Sequence, residues 1–289
     1  MTNSKKLFNE LVKSIRLDDS LDEIQSIVYL LLEEKLGLRR MDIMVGREIE
    51  PVAQDYFVEI VERINKQEPI QYILGKGEFY GRQFIVNNSV LIPRPETELL
   101  VGSVIESNVS SPTILDIGTG SGCIATTLAL EIPTSKVYAI DVSAEAILIA
   151  ERNAINLMAE VHFSKLDILN DTLEGQFDII VSNPPYVSMS ERKAMKSNVV
   201  DYEPHLALFV SDENPLVFYK MIAKKGRLLL RREGKMYVEI NEKYGREVTS
   251  IFKKAGYDNL IIKKDVNGKD RVVIAKNSQH QLVSISLHF

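Results

Sequence analysis

Cysteine is almost missing from this chain of 289 residues: Cys123 stands alone, so no internal disulfide framework can form and a reducing compartment is expected. Positive charge is not in excess, since 35 Lys and Arg face 40 Asp and Glu for a formal net charge of −5. That balance gives no global electrostatic pull toward a polyphosphate, and direct binding to nucleic acid is not expected. Long apolar runs are also missing; none approaches the roughly 20 residues that a membrane span needs. The opening Met-Thr-Asn-Ser-Lys-Lys lacks the apolar core of a signal peptide, so the expectation is a cytoplasmic protein without membrane association. Histidines are few, and His162, His205, His280 and His288 lack metal-ligand spacing with Cys123, which argues against zinc. No Ser-His-Asp grouping stands out, and there is no repeat or low-complexity tract. What is present is ordinary for a globular protein, 45% apolar and 26% charged residues, in a length that suggests two domains.

The texture of the chain changes along its length. Up to residue 75 apolar residues recur at three- and four-residue steps: Leu7, Leu11 and Ile15, then Leu21, Ile24, Val28 and Leu31. Asp18, Asp19 and Ser20 separate the two runs as a turn and N-cap, and Gly37 ends the second. A third helix is expected from near Pro51, carrying Phe57, Ile60, Val61 and Ile64. The spacing predicts a small helical bundle. Residues 78–86 and 90–92 then read as a hairpin turning at Asn87-Asn88. Beyond it strands and helices alternate: Thr113–Ile117, a helix from Gly122, Lys136–Ile140, a helix over Ala144–Leu157, Val161–Ser164 and Phe177–Ser182. Such alternation predicts βαβ units and a parallel sheet. Met236–Ile240, a helix over Tyr244–Ala255 and two closing strands follow.

The run Phe177–Ser182 stops at Asn183-Pro184-Pro185-Tyr186. Two prolines end a buried strand and leave the Asn side chain at its carboxyl edge, where open parallel sheets bind ligands. The Asn183 amide oxygen and the Pro184 carbonyl are two acceptors suited to an NH2 group. Tyr186 would pack on a planar target. A delocalised amide or amino nitrogen is a poor nucleophile, and holding both of its N–H groups orients it for in-line methyl transfer.

Asp116-Ile117-Gly118-Thr119-Gly120-Ser121-Gly122 follows one predicted strand and opens a helix, so its backbone can approach a ligand closely. Asp141 ends the next strand, where a carboxylate can accept two ribose hydroxyls. Asp167 could bond an adenine amino group, or simply cap its loop; Ile168 could pack on the ring, or belong to the core. These features alone leave the nucleoside cofactor open. The Gly-x-Gly-x-Gly spacing disfavours a nicotinamide dinucleotide, and the layout matches S-adenosylmethionine. Cys123 reads as a small core residue.

Taken together the chain resembles the HemK/PrmC family of release-factor glutamine N5-methyltransferases. The likeness rests on Glu68–Gly75, Phe79-Tyr80-Gly81, Leu91–Glu98 with its Pro93-Arg94-Pro95-Glu96, Asp116–Gly122, Asp141, Asn183–Tyr186, Tyr202-Glu203-Pro204 and Asp265–Arg271. It implies a seven-stranded, Rossmann-like class I methyltransferase sheet behind an N-terminal helical bundle. The chain is expected to divide into a helical domain over 1–75, whose separate position suggests substrate recognition or else a structural bundle, a hairpin linker over 76–95, the methyltransferase domain over 96–276 and a tail over 277–289. The resemblance implies that Gly118, Thr119, Gly120, Ser121, Gly122, Asp141, Ile168 and Asn183 line S-adenosylmethionine. Asn183, Pro184, Pro185 and Tyr186 would then hold the substrate, the glutamine of the Gly-Gly-Gln motif of peptide chain release factors. Departures lie outside those motifs: Phe209–Asn214 stands where a glycine-rich turn is usual, and Asn241 where a glycine is. Two related activities offer a similar planar NH2, a ribosomal-protein glutamine and adenine N6 in nucleic acid. Arg94-Pro95-Glu96 and the acidic balance favour the release-factor enzyme. A non-catalytic S-adenosylmethionine-binding protein would not require the intact tetrapeptide.

Overall fold

The computed structural model describes residues 2–53 and 55–278. Chain contacts divide into two units, one running to Lys76 together with Lys196–Tyr202, the other comprising Gly77–Met195 and Glu203 onward.

The first unit is helical. Helices α1 (Ser4–Ser14) and α2 (Leu21–Leu36) begin at side-chain caps, Asn3 accepting from the Lys5 N–H and Ser20 from the Glu23 N–H. Gly37, in the left-handed region at φ +63°, closes α2. α3 (Arg40–Met44), α4 (Val58–Asn65) and α5 (Ile70–Leu74) follow. Their apolar stripes meet in a core of Leu7, Leu11, Val28, Leu31, Leu32 and Ile64. α4 begins at Val58 and not near Pro51. Ahead of it the Tyr56 N–H bonds the Ala53 carbonyl and the Val58 N–H the Asp55 carbonyl, three-residue turns that precede the helical ladder. Residues 196–202, which the sequence places inside 96–276, pack with this unit. Lys196 Nζ reaches Asp19 (2.9 Å) and Glu23 (3.0 Å), and the Tyr202 hydroxyl donates to the Lys66 carbonyl at 2.7 Å.

The second unit opens at Gly77, within a hairpin of Lys76–Phe79 and Arg82–Ile85. Its turn lies at Tyr80-Gly81, both at positive φ (51° and 68°), and not at Asn87-Asn88. A two-residue hairpin closed by a type I′ turn needs that left-handed pair, and alternation carries Phe79 and Phe84 into the core on either side of it. After α6 (Thr97–Ile105) come β1 (Thr113–Ile117), α7 (Cys123–Glu131), β2 (Lys136–Asp141), α8 (Ala144–Asn156), β3 (Val161–Lys165) and β4 (Phe177–Ser182). Helix α9 (Val217–Leu229), β5 (Leu230–Glu239), α10 (Gly245–Lys254), β6 (Asp258–Lys264) and β7 (Asp270–Lys276) complete it. The seven strands lie in the order β6-β7-β5-β4-β1-β2-β3, parallel except that β7 runs against both neighbours.

Alternation along the strands feeds two cores. Ile114, Ile179, Val181 and Tyr237 pack with Leu100, Val104, Ile124 and Leu128 of α6 and α7 on one face. Leu115, Ile117, Ile180 and Val238 pack with Tyr219, Ile222, Val248 and Phe252 of α9 and α10 on the other. Of the expected tail, Asn277 is buried and its side-chain amide donates to the Leu230 carbonyl at 2.9 Å. Residues 279–289 lie outside the described residues. Among the described residues no helix is long and apolar enough to cross a membrane.

Candidate active site

The strand order reverses between β1 and β4, and ligands of open α/β sheets sit at the carboxyl ends beside that reversal. Register sets the positions. Ile117 pairs with both Ser182 and Ile140, so Gly118, Asp141 and Asn183 leave the sheet side by side. The Gly118 and Thr119 N–H groups both donate to the Ile140 carbonyl, at 2.9 and 3.0 Å, and pin the loop. The Ser182 hydroxyl donates to the Ile117 carbonyl at 2.7 Å and ties β4 to β1 just before Asn183.

A cavity of about 320 Å³ opens there, within the size range of small-molecule sites. Gly118, Gly120, Asp141, Ile168, Asn183, Pro184 and Pro185 line it. Thr119, Ser121, Gly122 and Tyr186 lie outside that lining. Thr119 turns inward, donating to the buried Asp116 carboxylate at 2.6 Å. Gly122 opens α7, and a Cβ on it would stand 2.9 Å from the Ala150 Cβ, so this glycine serves the contact of α7 with α8. The walls also include residues that sequence reasoning gave no role: Ser89, Val90 and Leu91 after the hairpin, Pro204, Leu206 and Ala207, and Phe218 of α9. Leu91 and Pro204 had a signal only in the family-like stretches that contain them. Arg94 pairs with the buried Glu203 at 2.6 Å, and Glu203 also accepts from the Ile92 N–H at 3.3 Å. That pair joins the segment after the hairpin to the segment that carries Pro204.

The residues present fit a nucleoside cofactor. Gly118 and Gly120 have positive φ (74° and 56°), and a Cβ on either would meet nothing within 4 Å. Asp141 accepts from the Gly120 N–H (2.8 Å) and the Ser143 N–H (2.9 Å), one bond per oxygen, which leaves each oxygen a lone pair for a hydroxyl. Burial raises its pKa, while those N–H groups oppose the rise. Asp167 lines the cavity too, but its carboxylate accepts from the Leu169 N–H and the Asn170 side chain and so caps its own loop. Burial pushes the Cys123 thiol up to about 12, which suits a core residue.

Behind Asn183 lies a polar chain. The Asn183 amide nitrogen donates to Thr97 Oγ1 at 3.1 Å, and Thr97 donates to Glu239 Oε2 at 2.7 Å. The Tyr186 hydroxyl donates to Glu239 Oε1 at 3.2 Å. Glu239 ends β5, is only 2% exposed, and is pushed up to about 7 by burial. The bonds from Thr97 and Tyr186 and the Arg271 charge limit that rise. The carboxylate gives the spent end of the Asn183 amide a fixed address and leaves its oxygen end facing away from Thr97.

Family comparison matches residues 14–75 to the PrmC N-terminal domain and residues 95–203 to the methyltransferase small domain. The release factor glutamine methyltransferase of Bacteroides thetaiotaomicron is 45% identical over 258 residues, covering 88% of this chain and 93% of that one. The chain belongs to the release factor glutamine methyltransferase family. The enzyme of that name from Flavobacterium psychrophilum is 42% identical over 259 residues, covering 87% of this chain and 91% of its own. As a member of that family the chain is an S-adenosylmethionine-dependent methyltransferase. A methyltransferase of Pyrococcus furiosus, with a TM-score of 0.51 and 21% identity over 77% of this chain and all of its own, shares the fold.

Proposed function

We propose that this chain methylates the side-chain amide nitrogen of the glutamine in the Gly-Gly-Gln motif of peptide chain release factors. The observation that carries the reading is the Asn183 amide, held by its nitrogen to Thr97 at the carboxyl edge of β4, so that its oxygen is the end offered to a ligand. The relatives named for this activity match nearly their whole length. Gly118, Gly120, Asp141 and Ile168 would hold the donor, with Thr119, Ser121 and Gly122 shaping the loop from behind. When bound, S-adenosylmethionine supplies an electrophilic methyl group on a positively charged sulfur.

The chain's own residues supply position. The Asn183 oxygen and the Pro184 carbonyl each accept one N–H of the glutamine NH2, which fixes the amide plane and stabilises positive charge as it builds on nitrogen; the methylated nitrogen then gives up one of those two protons to water. Proline at 184 and 185 holds those carbonyls in a strand-ending conformation that few other residues would keep. Tyr186, its hydroxyl engaged by Glu239, offers its ring to the flat amide. Asn183→Ala is expected to lower turnover on a release factor by about 10²–10³ while S-adenosylmethionine binding largely survives. Steady-state kinetics beside calorimetric titration of the donor check this, and near-normal turnover in the variant removes the two-acceptor mechanism.

A further inference from the structure

Thr97 and Glu239 are 142 residues apart in the chain and both almost fully buried, yet they meet directly behind Asn183. A threonine hydroxyl has one proton. An ionised carboxylate can only accept, so the Thr97 proton points to Glu239, and the Thr97 oxygen is left to accept from Asn183. Only the NH2 end of the Asn183 amide can satisfy it. The polarity of the chain therefore starts at Glu239 and ends in the choice of which end of Asn183 faces the substrate. Glu239 also holds Tyr186 with its second oxygen, so one buried carboxylate reaches two members of the tetrapeptide.

We propose that Glu239, acting through Thr97, is a positioning residue for methyl transfer, which keeps the Asn183 oxygen turned toward the substrate amide. This rests on the reading of Asn183 as an acceptor for the glutamine N–H. Burying an ionisable group is costly, and here the carboxylate stands where the Thr97 and Tyr186 hydroxyls converge on it. Arg271, itself paired with Asp265 at 2.8 Å, supports the ionised form, whereas Glu96 opposes it. The reach to Asn183 through a hydroxyl gives the arrangement a specific chemical test.

The experiment uses the full chain at pH 8 with a purified release factor and labelled S-adenosylmethionine. Thr97→Val keeps the shape of the side chain and loses the hydroxyl; it is expected to lower kcat by about ten- to a hundredfold with donor affinity unchanged. Thr97→Ser restores the hydroxyl and most of the turnover. Glu239→Gln puts an amide NH2 against one of two donors and is expected to fall as Thr97→Val does. Thr97→Val added to Asn183→Ala costs nothing further, because both act at one group. Wild-type turnover in Thr97→Val or in Glu239→Gln overturns the proposal, as does a Ser variant that falls as far as Val. A large loss in Asn183→Ala alone then shows that the relay failed and the acceptor reading stands. Normal turnover in Asn183→Ala overturns both.

Discussion

Gly118, Gly120 and Gly122 look equivalent in the sequence and have different jobs in the fold. The first two stand in open space at the cavity, whereas the third is pressed against Ala150. Gly120→Ala is expected to weaken S-adenosylmethionine binding by roughly tenfold, about 1.4 kcal/mol, because the added methyl enters the space a ligand approaches. A titration of donor affinity checks it, and an unchanged affinity would place the cofactor elsewhere. The loop was legible because its glycines stand between a strand and a helix, with an acid at the end of the next strand. The division of labour was not, since it depends on Ala150, a residue of another helix. The same holds for Asn183: its position after a strand was readable, but its partner Thr97 lies 86 residues away and is known only once the strands have been ordered.

At the scale of elements, Gly122 is where α7 meets α8. Gly122→Ala is expected to cost about 1–3 kcal/mol through overpacking and left-handed strain, lowering the melting temperature by several degrees while the folded fraction still binds donor. Thermal melts with and without donor measure both effects, and an unchanged melting temperature would contradict the packing role. Strand and helix positions were legible from periodicity, because each element buries one face against the sheet. β1, β2, β3 and β4 fall within a residue of their expected bounds. The hairpin turn was misplaced because the sequence offered Asn87-Asn88, a good turn pair, while the actual turn uses Tyr80, a bulky residue at positive φ. That conformation is disfavoured locally and is held by tertiary contacts: the Tyr80 N–H donates to Glu98 at 2.8 Å, and Phe79 is fully buried. The late start of α4 has a similar origin, with turns around Tyr56 overriding a proline that suits a first helical position.

Among the described residues two buried carboxyls, Asp116 and Glu239, are each pushed up to about 7 by burial, from ordinary values of 3.8 and 4.5. Between those limits the folded protein retains protons that the unfolded chain has released. Their burial therefore carries no penalty below about pH 4, and the penalty grows as pH rises to about 7. Urea denaturation is expected to give greater stability at pH 6 than at pH 8, and Glu239→Gln should flatten that slope. A slope equally steep in the variant would mean that Glu239 ionises normally in the folded state. The division into a helical unit and a sheet unit was legible from the change in periodicity near residue 75. The placing of Lys196–Tyr202 with the helical unit was not, because it depends on Lys196 meeting Asp19 and Glu23 far away in sequence.

The reaction on a release-factor glutamine is tested by transfer of labelled methyl from S-adenosylmethionine to a purified release factor and to its Gly-Gly-Gln to Gly-Gly-Ala variant. Label on the first protein and none on the second is the predicted result. Equal label on both, or none on either while the donor is bound, would contradict it.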